Sequence, residues 1–254
     1  MSTAYNQAKM RQLIDDTFAS EMRDDYQPVY DGVVNPAVFF DRSQNPLRVL
    51  WILKEPYGGE SENENGEITY FNEDPYNTSL LENIVRHQDK YWTIPTWKVI
   101  LLTLDAMYTR NSHLETPCNK FENVRYTLDR LAVINIGKMP AGTRSPDSVM
   151  KNLYERDKIR NLLRAQIDMI ASDIIIGGNT MKYLLEDLFK SESNEPVVKA
   201  DLEKFPKGYR VDHFYSNDKL FIDAYHPSQT EWTRVEYINS IIASAFYWAD
   251  NIAK

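Results

Sequence analysis

Four short polar segments carry the side chains whose types and spacing could do chemistry. They read Lys54-Glu55-Pro56-Tyr57-Gly58-Gly59, Asn135-Ile136-Gly137-Lys138-Met139-Pro140-Ala141-Gly142-Thr143-Arg144, Gly177-Gly178-Asn179-Thr180 and Tyr225-His226-Pro227-Ser228-Gln229. Together they hold a carboxylate, an imidazole, a carboxamide, a lysine and an arginine. A carboxylate facing a histidine suits acid–base or electrostatic catalysis. A carboxamide presents a donor and an acceptor side by side, a pattern that reads a ring edge. Each segment also has a purely structural reading. Glu55 fits a solvated loop carboxylate, Asn135 a strand-end cap and His226-Pro227 a turn. Gly178-Asn179-Thr180 fits a turn followed by a helix N-cap, a geometry that can also hold a phosphate. The convergence of four such segments is more specific than any one of them.

Other constellations are weaker. His87, His113, His213 and His226 form no His-x-His or His-x-x-x-His pair, so no zinc site is expected. Cys118 is the single cysteine, which excludes internal disulfides, a cysteine zinc site and a four-cysteine iron–sulfur cluster. It lies in a polar loop and reads as a bystander rather than a nucleophile. No cofactor is expected. Lys182 is placed to touch an anion or simply to decorate a helix. The acidic run from Glu60 to Glu67 reads as a solvated loop, or as a lid because it follows Glu55 closely.

The four polar segments each follow an apolar run of strand length: 48–53, 130–136, 173–177 and 219–224. Between the runs lie helical stripes. Trp97, Ile100, Leu101, Leu104 and Tyr108 make one, and Ile159, Leu162, Leu163, Ile167 and Ile170 another. Met181, Leu184, Leu185, Leu188 and Phe189 make a third, and Ile238, Ile241, Ile242, Ala245 and Trp248 a fourth. An N-terminal helix is expected over about 4–22. Strands alternating with helices predict a three-layer α/β/α fold around a four-stranded, mainly parallel sheet. In such sheets ligands bind beyond the carboxyl ends of the strands, where all four polar segments fall. One domain over 1–254 is expected, with polar excursions at 58–78 and 191–217.

The 254 residues are 43% hydrophobic and 26% charged, enough apolar chain for a substantial core. No apolar run reaches membrane-spanning length and the start lacks a secretory pattern, so a cytoplasmic protein without a membrane partner is expected. The net charge of −8 argues against broad, non-specific nucleic-acid affinity and leaves room for a local basic patch.

The ordered set of segments resembles the uracil-DNA glycosylase superfamily. Leu53-Lys54-Glu55-Pro56-Tyr57-Gly58 resembles its first motif, commonly Gly-Gln-Asp-Pro-Tyr-His after the first strand. Tyr225-His226-Pro227-Ser228 resembles its His-Pro-Ser motif after the last strand. Ile134-Asn135 sits where the family places a base-reading Asn, and 135–146 is similar to the iron–sulfur branch. Ile174 to Thr180 looks like the third strand and its glycine turn. The resemblance spans roughly Arg48 to Trp232.

The resemblance implies hydrolysis of the N-glycosidic bond of uracil, or of a related deaminated or damaged base, flipped out of DNA. Glu55 matches the carboxylate that orients water and stabilises the cationic sugar. His226 matches the residue that hydrogen-bonds the leaving base. Asn135 would read the pyrimidine edge, Tyr57 would crowd position 5, and Phe71 or Tyr70 would stack on the base. Gly178, Ser228, Lys138 and Arg144 would approach DNA phosphates. The partner implied is DNA with a modified base; the sequence leaves the oligomeric state open, with a monomer as the simplest expectation. The chain departs from the pattern at Leu53 for glycine, Glu55 for aspartate, and Met139 where the iron–sulfur branch has cysteine. Gln229-Thr230-Glu231-Trp232 replaces the usual proline and apolar wedge. These departures keep two alternatives open: a non-catalytic nucleotide- or nucleic-acid-binding protein, and a hydrolase of free nucleosides or nucleotides.

Overall fold

The computed structural model describes residues 5–22, 27–54, 59–62, 68–71, 94–114, 124–139, 146–191, 197–200, 211–228 and 233–253. The strands are β1 (Gly32–Val33), β2 (Val49–Leu53), β3 (Gly59–Glu62), β4 (Ile68–Phe71), β5 (Ala132–Asn135), β6 (Ile174–Gly178), β7 (Val198–Lys199), β8 (Asp212–Tyr215) and β9 (Leu220–Ala224). The helices are α1 (Gln7–Phe18), α2 (Pro36–Phe39), α3 (Pro95–Tyr108), α4 (Val124–Leu128), α5 (Asp147–Tyr154), α6 (Asp157–Ile170), α7 (Met181–Ser191) and α8 (Arg234–Asn251).

The main sheet has the order β1-β5-β2-β6-β9-β8-β7. The four apolar runs become β5, β2, β6 and β9, which are adjacent and mutually parallel. Every residue of β2, β5 and β6 is buried, as expected of strands covered on both faces. Alternate residues feed two apolar clusters. Trp51, Val133, Ile176 and Ile222 pack with side chains of α3 and α8 on one face. Leu50, Ile134, Ile175 and Phe221 pack with α1, α2, α5, α6 and α7 on the other. The fold is therefore mixed α/β, with helices on both faces of the sheet.

The expected sheet of four strands is corrected to a mixed sheet of seven. Antiparallel strands extend it at both edges: β1 on β5, β8 on β9 and β7 on β8. Two of these are only two residues long, too short for alternation to register. β7 and β8 fall within 191–217, where polar composition hides them. The other excursion, 58–78, contains the antiparallel hairpin of β3 and β4, so part of the acidic run is strand rather than loop. The N-terminal helix is shorter than 4–22: it starts at Gln7, where the Asn6 side chain caps it by accepting from the Lys9 amide, and it ends at Phe18. Among the described residues no helix is long and apolar enough to cross a membrane.

Candidate functional site

The parallel register brings the described parts of the four polar segments to the carboxyl ends of four neighbouring strands. The amides of Ile136 and Gly137 donate to the carbonyls of Leu53 and Lys54, joining the ends of β5 and β2. The Asn179 amide donates to the Ala224 carbonyl at 2.7 Å, joining β6 to β9. The Thr180 hydroxyl, fully buried, donates to the Ile52 carbonyl at 2.8 Å. That hydroxyl ties the start of α7 to β2.

Gly178 is where these ends touch most closely. A Cβ there would stand 2.8 Å from Leu53 Cδ2 and 3.1 Å from Pro227 Cδ. Its role is to let the β2 and β9 ends meet across β6, and its burial corrects the expected phosphate contact. Gly178→Ala is expected to destabilise the fold by about 1–3 kcal/mol through overpacking. Urea unfolding would measure it, and an unchanged midpoint would show that the three strand ends are not in contact.

His226 stands just beyond β9. Its Nδ1 accepts from the Ser228 amide at 3.2 Å and lies 2.7 Å from the Ser228 hydroxyl. A nitrogen that accepts an amide proton carries none itself, so the neutral ring holds its proton on Nε2. Burial, and then the nearby Lys54 charge, push the His226 pKa below its ordinary value. The imidazole is thus a neutral Nε2–H donor near neutral pH. Ser228 is exposed and its hydroxyl is committed to His226.

Asn135 and Lys138 belong to a buried polar cluster beneath this edge. Asp31, just ahead of β1, accepts from the Asn135 amide at 2.7 Å and from Asn135 Nδ2 at 3.2 Å. Lys138 Nζ binds both Asp31 oxygens, at 3.0 and 2.8 Å, and also the Asn135 carbonyl. Gln166, on the inward stripe of α6, donates to Asp31 at 2.9 Å. Lys138 is 0% exposed. This corrects its assignment to DNA phosphate, because its ammonium is sealed in an ion pair. Burial pushes the Lys138 pKa down, and Asp31 opposes that. Asn135 is 2% exposed, and an acceptor-only carboxylate fixes Nδ2 toward Asp31. Among the described residues Asp31 is the partner of its side chain.

A second, exposed polar cluster sits at the rim. Asp147, the first residue of α5, receives Lys54 Nζ at 3.1 Å, Tyr183 OH at 2.9 Å and Lys182 Nζ at 2.5 Å. These bonds hold its carboxyl well below the usual carboxylate range, with Lys182 the largest cause. Lys182 does therefore touch an anion, and that anion is internal. Nothing in the sequence marks Asp147 beyond its place after Pro146 at a helix start. Gln166 had a signal: it is a polar residue inside an apolar stripe.

Glu55, Tyr57 and Arg144 lie outside the described residues, as do Gln229 to Trp232. Phe71 ends β4, paired with Gly59. Among the described residues no group of three or more His, Cys, Asp or Glu side chains is arranged to hold a metal ion. No protein-family model matches the chain, and no curated protein matches it.

Proposed function

We propose that the chain is a glycosylase of the uracil-DNA glycosylase type, on a three-layer α/β/α domain, that hydrolyses the N-glycosidic bond of uracil or a related deaminated or damaged base in DNA. The observation that carries this reading is His226, held as a neutral Nε2–H donor just after the last parallel strand, near Lys54 at the end of β2. Glu55 follows Lys54 directly in the chain. In the proposed reaction the bond between C1′ and the base nitrogen breaks and its electron pair stays on the base. The Nε2–H of His226 hydrogen-bonds the base oxygen on which that charge gathers. The Glu55 carboxylate stabilises the cationic sugar and orients the water that adds to C1′; that water gives up one proton to solvent, and the released base takes one proton from solvent. Asn135 presents its carboxamide to the pyrimidine edge. The described part of the rim supports an anionic partner: two ammonium groups, those of Lys54 and Lys182, gather on one carboxylate oxygen pair there, in a chain of net charge −8.

A second reading, a hydrolase or binder of free nucleotides, is favoured by one feature. Both rim lysines are engaged by Asp147, which suits a single phosphate better than a long backbone track.

The test is base release from end-labelled oligonucleotides carrying uracil, hypoxanthine, xanthine or 5-hydroxymethyluracil, single-stranded and mismatched. Release from at least one of them is expected, and Glu55→Gln should abolish it. Folded protein that releases no base from any strand would overturn the excision reading. Release from a free deoxynucleoside in its place would establish the second.

A further inference from the structure

Three donors converge on one carboxylate at the rim, and donors and acceptor come from different parts of the fold. Lys54 extends from the end of β2, and Lys182 and Tyr183 stand on the first turn of α7. The acceptor, Asp147, comes from α5. The Lys54 side chain is 16% exposed, whereas that of Asp147 is 61% exposed. The cationic side is thus partly built into the sheet edge, and the acidic side is the solvent-facing member. Two ammonium groups and a phenol aimed at one spot favour an oxyanion there, most strongly for Lys54, which is the least hydrated of the three charged partners in the cluster. A phosphate oxygen satisfies the same donors as a carboxylate oxygen, with more charge. Lys54 also links the spot to His226, whose ring feels its charge.

We infer that Lys54, Lys182 and Tyr183 form a phosphate-binding cradle beside His226, and that the Asp147 carboxylate occupies it as an internal substitute which a substrate phosphate displaces. The cradle replaces Lys138 and Gly178 as the phosphate contact. Its assignment to a nucleic-acid or nucleotide phosphate rests on the proposed function, whereas its affinity for an oxyanion does not.

The test uses the full chain, with inorganic phosphate and an unmodified single-stranded oligonucleotide as probes, followed by calorimetry and by fluorescence anisotropy at several salt concentrations. Asp147→Asn removes the internal competitor and should tighten binding about fivefold, the effect of one unit charge near 4 Å in a water-like medium. Asp157→Asn is the control for charge alone, because that side chain is 87% exposed on another helix. Adding Lys182→Met to Asp147→Asn should erase the gain and lower the salt slope for the oligonucleotide by about one. Asp147→Asn with Tyr183→Phe repeats the test with a smaller structural change and should erase part of it. A gain for phosphate alone places a free phosphate monoester in the cradle, and a gain for both probes places a nucleic-acid backbone there. The inference is overturned if Asp147→Asn gains no more than Asp157→Asn, or if the gain survives Lys182→Met. Binding that behaves as expected without any base release would remove the excision reading and leave the cradle standing. Base release without the gain would do the reverse.

Discussion

Replacing His226 by alanine is expected to lower base release by about 10²–10³-fold, the usual cost of losing one donor aimed at developing negative charge. The ring is half-buried and bonded only to its own turn among the described residues, so the fold should survive the change. Single-turnover rates on a uracil-containing strand would measure the loss, with far-UV circular dichroism as the fold control. A rate within a few-fold of the parent would remove His226 from the chemistry. The protonation state gives a second readout. Because burial and Lys54 depress its pKa, His226 should titrate by NMR below 6.5, and base release should not fall as the pH rises through that value. The effect on stability has a definite sign. The folded state holds this proton less tightly than the unfolded chain, so the contribution is complete above about 6.5 and is lost as the pH falls toward the folded value. His213, buried and shifted the same way, adds to that loss. Asp223 acts in the opposite sense. Burial, and then the Asp212 carboxylate opposite it, raise its pKa, so stability declines as the pH rises from 3.8 through the folded value.

Lys138→Met should lower the free energy of unfolding by about 3–5 kcal/mol, the cost of leaving a buried charge without its partner. Asp31 is 2% exposed and has no other cation among its hydrogen-bond partners in the described residues. The pair itself is a different quantity. Asp31→Asn combined with Lys138→Met removes both charges while keeping an acceptor for the Asn135 amide. The new carboxamide also offers a donor to the Gln166 Oε1, which is buried without a hydrogen bond. The double variant should therefore recover part of the loss. Chemical denaturation of the two single variants and the double variant measures the coupling. A Lys138→Met loss below about 1 kcal/mol would mean that its ammonium reaches solvent instead.

The central strands and four long helical stripes were legible in the sequence because burial on both faces leaves uninterrupted apolar runs, and burial on one face leaves a period of 3.6. The strand-end segments followed from that, since parallel strands place all their carboxyl ends on one side. The edges were not legible. β1 and β7 have two residues each, and the pairing of β8 with β9 is recorded in hydrogen bonds rather than in apolar alternation. Lys138 illustrates a different limit. Its place three residues after Asn135 looked like part of a site, and the residue that decides its role, Asp31, lies more than a hundred positions earlier. Charge pairing across that distance leaves no local pattern. Asp147 is hidden for the same reason: its donors come from the distant ends of β2 and the start of α7.

The place of β2 in the sheet also has a consequence during synthesis. Trp51 pairs with Val133 on one side and with Ile176 on the other, about 80 and 125 residues later in the chain. At ribosomal rates of about 5–20 residues per second, the apolar segment Val49–Leu53 waits on the order of ten seconds with both backbone edges unpaired. Its only early cover is whatever the first helices supply. The nascent chain is thus most vulnerable to aggregation, and most in need of a chaperone, before β5 and β6 have emerged to enclose its central strand.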